Sequence, residues 1–476
     1  MRGEDAVPGV AGALTMRRLL VVAAACTVLV GPGQALAAPG PLPLVPCGTR
    51  LCGTLTVPLD RSLPAGPTIG VHVEVIPAGL PAYRGRQAFF ALAGGPGDAA
   101  AKLGTLATSY FYDVAQTHDV VLVDQRGTGE SNPLFCPFAG LVGYDAPPAW
   151  ITAYWSECLG ALDADPGTYT TAVAMQDVDD VRAALGYDRI DLYGISYGAT
   201  AAQYYLLQFP EHVRTVVFDS GTELDIPVFE RWGTNAQQML DTLFARCAHD
   251  HACHKTFPSP AKDLRTVLAR LAKSPAHANS VTVTPAVFAV GIQQLSRDPS
   301  QAAMIPLLLR RAVTKGIAAV APSMQLLKPG FDTELMPTAI ECDEPWALRD
   351  ATRIAALDKG SYLAAADVAA ATVNRAVCAA FPTYHDVAGA DGPVRSEVPA
   401  LWLVGSGDPQ DPLANVAGVK AAMPNVKIVV VHGAGHGAIV AGCAGSIASA
   451  FVLRGSAAGI DTSCAATSAY PPFRLR

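Results

Sequence analysis

The chain has 476 residues, half of them hydrophobic and 16% charged, which permits a large packed core and excludes an intrinsically disordered chain. Its formal net charge is −7 and no run of Lys or Arg forms a basic stripe, so no nucleic-acid partner is expected. The length exceeds what one minimal α/β domain needs and leaves room for a substantial insertion.

Near the N-terminus, Met16-Arg17-Arg18 precedes the apolar run Leu19 to Val30, then Gly31-Pro32-Gly33 and Ala35-Leu36-Ala37. Basic residues, a short apolar segment and a small-x-small site make a secretory signal over residues 1–37, cleaved after Ala37. Glu4 and Asp5 fit a basic leader badly, so Met16 is an alternative start of translation. An uncleaved anchor is the competing reading. The apolar run is too short for a comfortable span, however, and no other stretch of 18 apolar residues follows, so no stable membrane span is expected in the mature form. Cleavage removes three basic and two acidic residues, taking the charge to −8, and removes Cys26. Ten cysteines remain, an even number that in an exported chain suggests disulfides. The simplest connectivity joins sequence neighbours: Cys47–Cys52, Cys136–Cys158, Cys247–Cys253, Cys342–Cys378 and Cys443–Cys464. The expected location is secreted or associated with the cell envelope.

Next comes a Pro-rich linker, Pro39 to Pro46, and an alternating run, Thr68–Ile76, with the period of a half-exposed strand. Ala88–Leu92, Val120–Val123, Ile190–Tyr193 and Val213–Phe218 are short apolar runs leading into loops, as buried parallel strands do. Between them, Met175–Leu185 has helical period, with Val178, Val181 and Leu185 on one face and Asp177, Asp180 and Arg182 expected to face water. The rhythm breaks after Asp219. Residues 224–396 read as helices, and the strand–helix alternation resumes with Ala400–Val404, a helix near Leu413–Ala422, Val426–Val431 and a last helix near Ala444–Leu453. The expected fold class is α/β, a mostly parallel central sheet flanked by helices, with an inserted, mainly helical cap. The domain boundaries follow: residues 38–223 for the first part of the core, 224–396 for the cap and 397–476 for the C-terminal part of the core.

Gly194-Ile195-Ser196-Tyr197-Gly198 is a G-x-S-x-G motif. The pentapeptide alone is a weak signal. Here it directly follows the strand Ile190–Tyr193 and precedes the helical pattern Ala199–Phe209, the context in which a strained turn lifts a serine hydroxyl above a sheet. Attack by that hydroxyl on a carbonyl creates an oxyanion, which needs preorganised N–H donors. The residue after the serine, Tyr197, is one; Gly95, in the loop Ala93-Gly94-Gly95-Pro96-Gly97 after an earlier strand, is the other. Asp124 to Ser131 follows strand Val120–Val123 and lacks the P-loop pattern, so Asp124 and Arg126 read as fixing loops around the site.

The resumed sheet offers an acid and a base at its strand ends. Asp408 lies in the loop after Ala400–Val404, and His436 lies in the Gly-rich loop after Val426–Val431. Serine, acid, histidine is the required chain order. Asp411 is the alternative acid, although it precedes Pro412 and could instead cap the next helix. His432 is the rival base, but it continues the strand and reads as a packed histidine. Cys247-Ala248-His249-Asp250-His251-Ala252-Cys253-His254 contains zinc-ligand types at no standard spacing, so a disulfide is the simpler reading and no metal is expected. No cofactor is called for either, because the triad supplies nucleophile and base.

Together Val57-Pro58-Leu59-Asp60, Gly94-Gly95-Pro96-Gly97, the block Asp124–Ser131, Gly194–Gly198, the Asp408 loop and Gly435-His436-Gly437 resemble the tripeptidyl aminopeptidase and proline iminopeptidase branch of the α/β-hydrolases. The exported, cysteine-rich form resembles the tripeptidyl aminopeptidases more. Iminopeptidases usually carry His before the two glycines, where this chain has Ala93. The resemblance implies the α/β-hydrolase fold and a peptide substrate with a free N-terminus. It also implies cap carboxylates that hold the terminal ammonium, at Glu341, Asp343 and Glu344. Esterases occur in the same branch, so a small ester is the alternative substrate.

Overall fold

The computed structural model describes residues 40–136, 147–162, 165–278, 281–324, 334–344, 350–382 and 388–476. The expected signal, residues 1–37, lies outside the described residues. Eleven strands form among them: β1 (Val45–Cys47), β2 (Arg50–Pro58), β3 (Thr68–Ile76), β4 (Ala88–Leu92), β5 (Asp119–Val123), β6 (Ile190–Ile195), β7 (Val213–Asp219), β8 (Ala276–Ala278), β9 (Val281–Val283), β10 (Ala400–Gly405) and β11 (Val426–Val431). Nine of them make one sheet in the order β1-β2-β3-β5-β4-β6-β7-β10-β11. The pairs from β1 to β3, and β3 with β5, are antiparallel; all pairs from β5 through β11 are parallel.

Both faces of the parallel part are covered, which is why its strands are nearly continuous apolar runs. On β4 the period of two sends Phe90 and Leu92 to one face, where they join Val178, Val181, Tyr204 and Tyr205, while Phe89 and Ala91 join Phe111, Ile447 and Phe451 on the other. Those partners sit largely on α1 (Thr171–Ala184) and α2 (Tyr197–Gln208) on the first face and on the helix Ala444–Arg454 on the second. Thr170 opens α1 by accepting the N–H of Val173.

Three expectations need correction. Asp177 and Arg182 do not face water: both are buried. Arg126 donates to Asp177 through Nε at 2.6 Å and Nη2 at 2.8 Å, Arg61 also pairs with Asp177, and Arg182 donates to the carbonyl of Tyr187 at 2.6 Å. A helical wheel assigns charges to solvent, but here the loops after β2 and β5 bring cations onto Asp177, and Arg182 folds back on Asp179 and the turn at Tyr187. The helix expected near Leu413–Ala422 is broken into a short 3₁₀ segment, Leu413–Val416, and a single turn, Val419–Ala422. The expected linker also ends inside β1, which pairs back on β2 beside the Cys47–Cys52 disulfide.

Between β7 and β10 the chain builds helices and one small hairpin, β8–β9. The helices used below are α3 (Val228–His249), α4 (Pro285–Ser296), α5 (Leu335–Asp343) and α6 (Ala364–Cys378). This insertion has an apolar cluster of its own, including Leu240, Leu243, Phe288, Ile292, Leu308 and Leu309. Among the described residues, five disulfides join sequence neighbours: Cys47–Cys52, Cys136–Cys158, Cys247–Cys253, Cys342–Cys378 and Cys443–Cys464. With Cys247 and Cys253 bonded to each other, neither thiolate of the Cys/His tract is left for a metal. Among the described residues, no helix is long and apolar enough to cross a membrane.

Candidate active site

The parallel register brings the carboxyl ends of β6, β7, β10 and β11 side by side, with Gly194 opposite Phe218 and Gly405 opposite Val431. Each of these ends delivers one part of the site. β6 runs into Ser196, which adopts φ +57° and ψ −125° as the residue capping α2. That backbone costs about 1–3 kcal/mol for a non-glycine residue, and the surroundings hold it: Ser196 N donates to the carbonyl of Asp219 at 2.9 Å. A Cβ on Gly194 would strike the carbonyl of Gly198, and one on Gly198 would strike the carbonyl of Leu92. The two glycines of the motif are therefore demanded by backbone packed against them.

His436 Nε2 lies 3.0 Å from Ser196 Oγ. Its Nδ1 lies 3.0 Å from Asp408 Oδ2 and 3.4 Å from Asp411 Oδ2. The structure thus brings Ser196, His436 and Asp408 together, with Asp411 as a second carboxylate just behind. Asp408 Oδ1 also accepts the N–H groups of Gln410 at 2.9 Å and Asp411 at 3.0 Å. Burial opposes the charge on Asp408, but His436 and these N–H donors outweigh it and hold the carboxyl below its ordinary range. Asp411 behaves oppositely: burial, then repulsion from Asp408, pushes it up to about 7. Burial disfavours the imidazolium of His436, yet Asp408 and then Asp411 outweigh it and raise the histidine above its ordinary value. Asp411 caps no helix; it accepts a hydrogen bond from Thr222 Oγ1 at 2.6 Å. His432 is exposed rather than packed, with Nδ1 2.6 Å from the carbonyl of Ser468.

The end of β7 contributes a support that the sequence did not reveal. Asp219 accepts from Ala438 N at 2.7 Å, Tyr193 OH at 2.9 Å and Ile439 N at 3.3 Å, and Ser220 Oγ accepts from Gly437 N at 2.8 Å. One dipeptide therefore anchors the loop after His436 with its side chains and the Ser196 turn with its backbone. Burial pushes Asp219 up to about 6 against these hydrogen bonds. A second unforeseen support comes from the insertion, where the carbonyl of Arg297, at the end of α4, accepts the N–H of His436 at 2.9 Å. A backbone acceptor leaves no trace in residue type.

The glycine loop passes directly beside Ser196. A Cβ on Gly94 would sit 3.2 Å from Ser196 Cβ, and Gly95, at φ +113°, has no room for one because Gly97 N would be 2.6 Å away. Tyr197 is the first residue of α2, where N–H groups have no acceptor within the helix and the helix dipole favours negative charge. Its buried phenol lies 2.7 Å from Thr171 Oγ1 and accepts from Gln125 Nε2 at 2.7 Å. Burial, and then the charge of Glu344, raise its pKa.

Of the three expected amine anchors, Glu344 is buried and turned toward Thr171, accepting from its N–H at 2.7 Å and its Oγ1 at 2.9 Å. Glu341 and Asp343 are half-buried on α5. A fourth carboxylate, missed in the sequence, stands beside the glycine loop: the position of a Cβ on Gly97 is 3.2 Å from Glu334 Oε2. Nothing in the residues around Glu334 marks it, because the proximity arises from the way the insertion folds back.

Residues 94–442 match the profile of the alpha/beta hydrolase fold family. A tripeptidyl aminopeptidase of Streptomyces coelicolor is 30% identical over 186 residues, 36% of this chain and 34% of that protein. The serine protease Hip1 of Mycobacterium tuberculosis is 26% identical over 235 residues, 43% of each chain. The chain thus spans between about a third and under half of the length of these curated relatives. Among solved structures, a proline iminopeptidase-related protein from Thermus thermophilus is similar at 18% identity and a TM-score of 0.40, covering 86% of this chain and 98% of that one. With the family profile matched from the glycine loop through the His436 loop, the chain belongs to the α/β-hydrolase fold family.

Proposed function

We propose that this chain is an exported serine hydrolase acting as an aminopeptidase, releasing di- or tripeptides, or proline-containing pieces, from free peptide N-termini. The observation that carries the reading is the continuous contact from Ser196 Oγ to His436 Nε2 and from His436 Nδ1 to Asp408. Ser196 Oγ attacks the scissile carbonyl carbon while His436 takes its proton; the imidazolium then protonates the departing amine, leaving an acyl-enzyme. Water, deprotonated by His436, attacks the ester, and the proton returns to Ser196. Gly95 and Tyr197 donate backbone N–H groups to the oxyanion. Asp408 holds the imidazole tautomer and balances its charge. No cofactor or metal enters these steps.

The peptide substrate is supported by the names of the relatives, and export by the signal pattern of residues 1–37 together with five disulfides. Glu341, Asp343 and Glu334 are the carboxylates proposed to meet the substrate ammonium. Glu344 acts behind them through Thr171 and Tyr197. The competing reading, an exported carboxylesterase or lipase, is favoured by one observation: Glu344, one of the expected anchors, already binds Thr171 with both oxygens.

One peptide, offered free and N-acetylated, separates the two, with Ser196→Ala as control. Loss of cleavage on acetylation is expected for an aminopeptidase. Equal cleavage of both forms, or none beside rapid ester hydrolysis, would reject it. Glu341→Gln, Asp343→Asn, Glu344→Gln and Glu334→Gln then locate the anchor: if all four leave peptide cleavage intact, none of them holds the amine.

A further inference from the structure

The insertion encloses a cavity of 160 Å³, lined among others by Phe229 and Trp232 of α3, Val290 and Gln293 of α4, and Asp367 and Ala370 of α6. A cavity of about this size with apolar walls accommodates a benzene ring. Its walls are not uniformly apolar. Gln293 is 3% exposed, and among the described residues neither its Nε2 nor Nε1 of Trp232 has a hydrogen-bond acceptor. Buried donors without acceptors are costly, and a carbonyl oxygen brought to them removes that cost. Asp367 of α6 also lines the cavity, and a carboxylate suits an N–H.

The cavity is tied to the candidate active site by one helix. Gln293 lies four residues before Arg297, about 6 Å along the helix axis, and the Arg297 carbonyl accepts the N–H of His436 at 2.9 Å. The Arg297 side chain also reaches back toward Gln294, which lines the same cavity. We propose that this cavity is a substrate subsite that receives a compact apolar or aromatic side chain together with its adjoining amide. The carbonyl meets Gln293 Nε2 and Trp232 Nε1, and the amide N–H meets Asp367. The inference rests on the hydrolase reading and deepens it, because a pocket with both donors and an acceptor fits a peptide unit better than a simple ester.

Phenylacetamide, which joins a phenyl ring to one amide, is the probe. It is titrated calorimetrically into the Ser196→Ala protein, so binding is read without turnover. Saturable binding is expected, weakened about tenfold by adding Ala370→Leu, which fills the cavity. Trp232→Phe, which keeps the apolar wall and removes one donor, is expected to weaken it several-fold. In the active enzyme, Ala370→Leu is expected to lower the ratio of kcat/KM for a 3-phenylpropionyl ester over an acetyl ester about tenfold; a merely misfolded variant would lower both together. No saturable binding, or equal binding by the Ala370→Leu protein, overturns the subsite whatever the hydrolytic activity. Tighter binding of phenethylamine than of phenylacetamide would also overturn it, since Asp367 alone would then set the preference. Binding retained in a protein that hydrolyses nothing would instead reject the proposed function and leave the pocket standing.

Discussion

Asp408 and Asp411 face the same nitrogen of His436 at 3.0 and 3.4 Å, yet they are shifted in opposite directions. Two N–H donors and the closer approach to the imidazole favour the charge on Asp408; burial and the charge of its neighbour disfavour the one on Asp411. Asp408→Asn is expected to lower kcat by about 10⁴-fold, by leaving the histidine in the wrong tautomer. Asp411→Asn is expected to be mild and to act through pH. His436 must be neutral to accept the serine proton, and its pKa is raised, so kcat/KM should fall as pH drops through a value above 6.5. Removing the Asp411 charge removes part of that elevation, so the acidic limb should move to lower pH; a pH–rate profile reads the shift, and movement to higher pH would reject the assignment. Asp219 is a positioning residue. Asp219→Asn sets an amide N–H against N–H donors of the His436 loop, and kcat is expected to fall about 10²-fold with KM little changed. A loss confined to KM would mean that the loop serves binding rather than alignment.

At the scale of elements, the strand ends carry the site because parallel strands with both faces covered leave their carboxyl-end loops as the place where polar groups converge. The convergence of Ser196, His436 and Asp408 was legible for that reason: each follows a short apolar run and sits in a Gly-containing loop. Gly198→Ala should test how tight the elbow is. Its Cβ would enter the carbonyl of Leu92, and because backbone cannot move aside as a side chain can, a loss of about 3 kcal/mol in stability is expected from denaturant unfolding. An unchanged midpoint would show that β4 can move aside. The supports at Asp219, Arg297 and Glu334 were not legible. Asp219 is the last residue of an apolar strand, Arg297 acts through its carbonyl, and Glu334 reaches the glycine loop from more than two hundred residues away. The buried Asp177 of α1 was misread for a related reason: its partners Arg61 and Arg126 lie in other segments.

At the scale of the whole molecule, the helical insertion is tied to itself by covalent bonds as well as by packing. Cys342–Cys378 joins α5 to α6 across a separation of 36 residues, and closing a loop of that length stabilises a fold by about 4 kcal/mol on the chain-entropy view. Cys342→Ser with Cys378→Ser should therefore lower the thermal midpoint markedly, and because α5 carries Glu341 and Asp343, peptide cleavage should fall further than ester hydrolysis. Parallel losses of both activities would place the bond outside substrate recognition. The even count of cysteines suggested disulfides, and joining sequence neighbours was the simplest connectivity; the cavity in the insertion was not legible, since its walls come from four helices that the sequence does not bring together.

The most direct measurement is covalent labelling of the folded protein with a fluorophosphonate, followed by mass spectrometry of the modified peptide. A single phosphonyl group on Ser196, absent from Ser196→Ala and strongly slowed in His436→Ala, is the expected result, since only a serine whose proton has an acceptor attacks phosphorus quickly. No label on folded protein, or a label on another serine, would contradict the Ser196–His436–Asp408 assignment on which the proposed function stands.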